Sequence, residues 1–184
     1  MFEGVKHFLI SDLGVSQIYL SEDKLNNVRT WFDPADLTGF EPLTVYDFGN
    51  GKLTLTDGHS RAFVAYTMGV SELPVVYDTD VLVTSDVGQM LYKNDVVWCE
   101  RFGIKTVGDL RERIVSKVQY EELWIKRCDK AYNLLMQTTR EQRVNLQRLC
   151  PALYLYGANA DVSLLFFEDL DGQSICVPKP LNDT

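Results

Sequence analysis

Residues 53–69, reading Leu-Thr-Leu-Thr-Asp-Gly-His-Ser-Arg-Ala-Phe-Val-Ala-Tyr-Thr-Met-Gly, constrain the fold more than any other stretch of the chain. Residues 53–56 alternate apolar with β-branched polar side chains, the pattern of a half-buried strand. Ala62, Phe63, Ala65 and Tyr66 then recur at helical spacing, and Gly69 can end that helix in a left-handed conformation. A strand passing into a helix through Asp57-Gly58-His59-Ser60-Arg61 is therefore expected. Glycine allows close approach to a ligand, the first helical N–H groups lack intrahelical partners, and the helix dipole favours an anion. With Arg61 alongside, the turn reads as a phosphate cradle. The plainer reading of the same residues is an ordinary Asp-Gly turn with Ser60 as a helix cap and His59 and Arg61 in solvent.

Around this unit the order of elements is legible. Residues 8–10 and 18–20 are short apolar runs separated by Asp12, Gly14 and Ser16, a strand followed by a loop. Ser21, two acids and then Leu25, Val28 and Phe32 predict a capped helix over 22–32. Residues 43–48 and 53–56 flank Gly49-Asn50-Gly51-Lys52 and predict a β-hairpin. Residues 73–77 read as a strand, and Pro74 predicts an edge strand or a strand start. Helices are expected over 86–102 and 106–114. Ser116 to Gln119 has capping-box spacing and should open the longest helix, striped by Tyr120, Trp124, Cys128, Ala131 and Leu135. That stripe reads as core, and Lys126, Arg127, Lys130, Arg140, Arg143 and Arg148, interleaved with acids, read as solvated salt-bridged surface. A second capping box at Thr139 predicts one more helix, and residues 153–156, 162–167 and 174–177 read as short strands ahead of a frayed tail.

The wording of the turn resembles the ParB and sulfiredoxin superfamily, whose members carry Asp-Gly-His-His-Arg, Gly-Glu-Arg-Arg or Gly-Cys-His-Arg at a strand-to-helix turn that binds nucleotide phosphates. Here the signature stands as Asp57-Gly58-His59-Ser60-Arg61, and the element order over roughly residues 8–78 agrees. The resemblance implies a small mixed sheet of ParB/sulfiredoxin type over 1–80; with the helical extension over 81–150 and the antiparallel β unit over 151–184, packed on the rest, that the residue pattern predicts, the expected fold is α+β. It implies phosphate or nucleotide binding by Gly58, His59, Ser60 and Arg61, with Ser16, Gln17 and Glu41 as pocket candidates. Beyond residue 80 the likeness is to bacterial proteins of unassigned function.

The signature is nearest that of the ParB-fold free serine kinases. This implies roles for Asp57, in catalysis or in holding magnesium, for His59, and for ATP, ADP or CTP with magnesium as cofactor. The glutamate that serves as base in those kinases falls near Ser16, with Glu22 or Glu41 as substitutes. Sulfiredoxins carry cysteine where this chain has His59, which argues against thiol repair chemistry. Two functional classes follow. One is a nucleotide- or phosphate-binding protein acting as a phosphotransferase or nucleotide hydrolase; the other is a non-catalytic interaction protein or DNA-associated adaptor related to partition proteins or nucleases.

Charge bears on that choice. The net charge is −8 over 184 residues, opposed to the basic surface that nonspecific DNA binding uses. The four cysteines form no CxxC pair and only two histidines accompany them, so a zinc site is not expected; reduced, mostly buried thiols are. No apolar run reaches the roughly eighteen residues of a membrane span and no charged leader opens the chain, which predicts a cytoplasmic protein.

Overall fold

The structure, a computed structural model, describes residues 3–137. The expected helix from Thr139, the strands over 153–177 and the tail lie outside the described residues, as do Arg140, Arg143, Arg148, Cys150 and Cys176.

The fold is α+β. Strands β1 (Lys6–Leu9), β3 (Leu43–Asp47), β4 (Leu53–Leu55) and β5 (Glu72–Tyr77) form one mixed sheet in the order β1-β5-β3-β4, while β2 (Leu20–Ser21) pairs in parallel with β6 (Ile114–Val115). The hairpin expected around the Gly49 turn is β3 against β4, with Val45 opposite Leu55. Gly49 and Gly51 both have positive φ there, and the Asp47 carboxylate accepts both of their N–H groups at 2.8 and 3.1 Å. Helix α2 (His59–Thr67) then crosses from β4 to β5, which runs parallel to β3. Gly69 stops the helix at φ 84°, as its position suggested.

Pro74 is not at an edge. It lies in β5, between β1 and β3, opposite His7. The bond from Ile10 N–H to Ser71 O at 2.8 Å sets the alternation with β1 and puts the His7–Pro74 pair in a non-hydrogen-bonded position. Toward β3, Asp78 N–H donates to Val45 O at 2.8 Å. Stepping back along that ladder by twos, the N–H that proline lacks at 74 would have met the carbonyl of Glu41. That carbonyl instead accepts from Arg61 Nη1 at 2.7 Å. A central proline is tolerated because the guanidinium replaces the missing donor.

Helix α1 (Glu22–Arg29) begins after Ser21, but the Ser21 side chain makes no capping bond; the residue pairs with Val115 instead. After β5 come the short α3 (Val81–Thr84), capped by Asp80, and α4 (Asp86–Arg101), capped by Ser85. The segment expected as a helix over 106–114 is a 3₁₀ helix, Val107–Arg113, running into β6. Ser116 and Gln119 do form the capping box, opening α5 (Lys117–Tyr120). A π-helical turn over Glu121–Ile125 leads into α6 (Lys126–Gln137).

One apolar core joins these parts: Leu13, Tyr19, Leu43, Val45, Leu55, Phe63 and Val75 share it with Trp98, Leu110, Tyr120 and Trp124. Tyr120, Trp124, Ala131 and Leu135 of the expected stripe are buried, as its spacing suggested, while Cys128 is partly exposed. Arg127, expected on the surface, is buried and pairs with buried Asp95 of α4 at 2.6 Å. Lys126 is exposed and pairs with Glu122 one turn earlier. Among the described residues no helix is long and apolar enough to cross a membrane.

Candidate functional site

Strand β4 releases the chain at Thr56, and Gly58 turns it into α2 with φ 85°, as the helix N-cap. A Cβ at that position would lie 2.4 Å from Leu43 Cδ2, so both the backbone conformation and the space demand glycine. No side chain caps α2. Ser60 sits half-buried in the first turn, and the first-turn N–H groups have no partner within the helix.

Arg61 draws three of the expected residues together. Its Nη1 donates to the Glu41 carbonyl and approaches Glu41 Oε2 at 3.2 Å, while Nη2 lies 3.2 Å from Asp57 Oδ2. The guanidinium also faces the Phe40 ring, 5.9 Å from its centroid. The Arg61 side chain is 15% exposed against 79% for Asp57, so the arginine is the buried member of the pair and the carboxylate faces solvent. Asp57 is thereby placed as a brace for Arg61. Among the described residues no group of three His, Cys, Asp or Glu side chains is arranged to hold a metal ion.

A strap over residues 14–16 lies along β4. Gly14 N–H donates to Leu53 O at 2.8 Å, and Leu55 N–H returns a bond to Gly14 O at 3.0 Å. The strap brings Ser16 to His59: Ser16 N–H donates to His59 Nε2 at 3.2 Å, and Ser16 Oγ donates to Leu55 O at 2.7 Å. Accepting at Nε2 requires a lone pair there, so a neutral His59 carries its proton on Nδ1. Burial pushes the imidazole pKa down to about 4, with Asp57 opposing and Lys24 assisting. At neutral pH His59 is thus an uncharged donor. Gln17, next in the strap, donates to Tyr19 O at 2.6 Å and to the Tyr120 hydroxyl at 3.2 Å.

Ser16, Gln17, Thr56 and His59 form one wall of a cleft of about 330 Å³. The opposite walls come from the helical region: Leu82, Leu91, Tyr92 and Asp95 from α3 and α4, and Trp124, Cys128, Asp129 and Tyr132 from the last helices. The Tyr92 hydroxyl donates to the Thr56 carbonyl at 3.4 Å and ties the two sides together, while Thr56 Oγ1 donates to Asp78 Oδ2, just past β5, at 2.5 Å. Burial raises Asp95 to about 6 against the lowering pull of Arg127, and raises the Cys128 thiol to about 12, far from a reactive thiolate.

Six of the eight expected residues fall into two groups, and Gly58 and Ser60, in the turn itself, belong to neither. Ser16, Gln17 and His59 line the cleft, whereas Asp57, Glu41 and Arg61 form an ion-paired cluster at the same helix start. Neither glutamate considered as a base lines the cleft; its carboxylates are Asp95 and Asp129. Sequence reasoning passed over both. The available signal was Asp95 itself, a charge set among Leu91, Tyr92, Trp98 and Cys99 on an otherwise apolar helix face.

No family model matches the chain, and no curated protein matches it. Among solved structures, the protein Atu1540 from Agrobacterium tumefaciens is similar with a TM-score of 0.36 and 14% identity, over 78% of this chain and 96% of that one.

Proposed function

We propose that the cleft beside the start of α2 binds a nucleotide or a related phosphate ester, as the resemblance of Asp57-Gly58-His59-Ser60-Arg61 to the ParB and sulfiredoxin signature implies. The observation that carries this reading is a juxtaposition. An uncapped helix N-terminus with a left-handed glycine adjoins a largely apolar cleft, into whose wall Ser16 and His59 are built. The cleft volume lies at the lower end of the range typical of small-molecule sites, roughly 300–1,000 Å³. First-turn amides and the helix dipole supply the anion preference, and neutral His59 supplies an Nδ1–H donor that costs no charge desolvation on binding. Arg61 stands at the same helix start, with its charge shared between the carboxylates of Glu41 and Asp57.

Titration calorimetry with ATP, ADP, CTP and GTP, each with and without magnesium, tests the reading. Binding that Arg61→Ala weakens supports it. If none of the four nucleotides binds, the reading is abandoned. Phosphate release assayed on the same samples separates binding from turnover.

A further inference from the structure

Three segments line both the cleft and a second, smaller cavity: the strap through Ser16 and then Gly14, β4 through Thr56 and then Thr54, and α4 through Asp95 and then Glu100. The hairpin turn adds Asn50 and Lys52 to the second cavity, and Lys105 joins them from beyond α4. Its volume is about 100 Å³, several times the roughly 10–15 Å³ that one water needs. One buried polar group on its wall is unsatisfied. Thr54 is 1% exposed, and its Oγ1 has no hydrogen-bond partner among the described residues. The hydroxyl lies against the bare backbone of Gly14, where a Cβ would come within 2.7 Å of it. A buried hydroxyl without a partner is unfavourable, and the adjoining cavity is where an acceptor can serve it.

The other polar groups around this cavity are mostly donors. Lys52 Nζ donates to Lys105 O at 2.7 Å and keeps its remaining N–H groups. Asn50 Oδ1 accepts from the Lys52 backbone N–H at 3.1 Å, which leaves the Asn50 amide nitrogen to donate. Glu100 is the one carboxylate among the described lining residues, so two ammonium groups stand against one negative charge. Partial burial raises the Glu100 carboxyl pKa, with Lys52 and Lys105 opposing. We propose that this cavity is a second binding site, for a small oxyanion of the size of phosphate or acetate, held by the Thr54 hydroxyl and the ammonium groups of Lys52 and Lys105. The site is separate from the start of α2 and does not rest on the nucleotide reading above. An ion seated against Gly14 bears on the same strap whose Ser16 N–H holds His59.

Calorimetry on the full chain with inorganic phosphate and, separately, with acetate tests the proposal, and the tighter of the two anions identifies the ligand's charged group. Lys105→Gln, at an exposed position, and Thr54→Val, which keeps the shape and removes the hydroxyl, should each weaken binding about three- to tenfold, the size of one hydrogen bond. Thermal melting checks that Thr54→Val folds. Glu100→Gln should tighten binding, since it removes the opposing charge. Binding that persists in Arg61→Ala and falls in Lys105→Gln and Thr54→Val supports the second site. Binding lost in Arg61→Ala but kept in the other two variants belongs to the start of α2 and overturns it. So does a folded Thr54→Val that binds phosphate and acetate as the wild type does, or a wild type that binds neither anion at millimolar concentration. Loss of binding in Glu100→Gln would assign the cavity to a cationic group and overturn the proposal as well.

Discussion

The Ser16 backbone N–H donates to His59 Nε2 at 3.2 Å across 43 residues of sequence. This bond fixes the tautomer of a buried imidazole at the entrance to α2 and makes protonation of Nε2 incompatible with the strap. The consequence is a stability term with a definite sign. The folded-state pKa is about 4 against an ordinary value of 6.5, so between those pH values the unfolded chain binds the extra proton and stability falls as pH falls. The full contribution is about 3 kcal/mol. Asp95 works in the opposite direction, since its carboxyl is raised to about 6 when folded and favours the folded state at lower pH. Urea denaturation of the wild type alone should therefore show a shallow pH dependence from these two groups. The difference in stability between wild type and His59→Gln isolates His59 and should grow by about 3 kcal/mol from pH 4 to pH 6.5. A difference independent of pH would show that His59 titrates normally.

Gly58 is constrained twice, by φ 85° and by Leu43 Cδ2 at 2.4 Å from the site of a Cβ. Gly58→Ala should cost about 2 kcal/mol or more, combining the left-handed penalty of roughly 1–2 kcal/mol with the displacement of a core leucine. By contrast Gly39, whose Cβ would meet nothing within 4 Å, should show the backbone penalty alone when replaced by alanine. Chemical denaturation of the two variants side by side checks the ranking; equal losses would mean that Leu43 moves aside without strain.

Local and distant features differed in how legible they were. The β3–β4 hairpin and the Ser116 capping box follow from neighbours in sequence, and both formed as their spacing suggested. Pro74 was misleading because its tolerance depends on Arg61 filling the Glu41 carbonyl, a partner supplied by another element. Ser21 looked like a cap and is instead half of a strand pair with Val115, far along the chain. Arg127 looked like one charge in a basic and acidic alternation, and only the packing of α6 on α4 turns it inward to Asp95. The cleft was half legible for the same reason: the signature marks one wall, while the opposing wall comes from helices whose residues carry the ordinary pattern of a packed core.

The Asp95–Arg127 pair should be sensitive to loss of either member. Both side chains are 5% exposed, so Arg127→Met leaves a buried carboxylate without its counter-charge, at a cost of roughly 3–5 kcal/mol. The cost should be smaller at pH 5 than at pH 8, because the orphaned carboxyl can take up a proton in the folded state and escape its charge. Replacing both members, with Asp95→Leu and Arg127→Met together, should cost less than the sum of the single changes. A double-mutant cycle by urea denaturation reads this directly, and strict additivity would show that the pair contributes no coupling.

Glu41 and Asp57 brace Arg61 through carboxylates that are 84% and 79% exposed. Exposed pairs of this kind contribute no more than about 1 kcal/mol, so Glu41→Gln and Asp57→Asn should leave stability almost unchanged. Their effect on an anion arriving at α2 should be larger in proportion. Each carboxylate competes with the ligand for the same guanidinium, and each adds negative potential at the helix start where the phosphate is to sit. Removing either should strengthen pyrophosphate binding roughly two- to fivefold, and removing both should strengthen it further, whereas Arg61→Ala should weaken it. Raising the salt concentration should narrow all three differences, since the competing charges face solvent. Calorimetry with pyrophosphate on the four variants and the wild type decides the matter: weaker binding in Asp57→Asn would assign Asp57 to the ligand, directly or through a cation, in place of the brace described here.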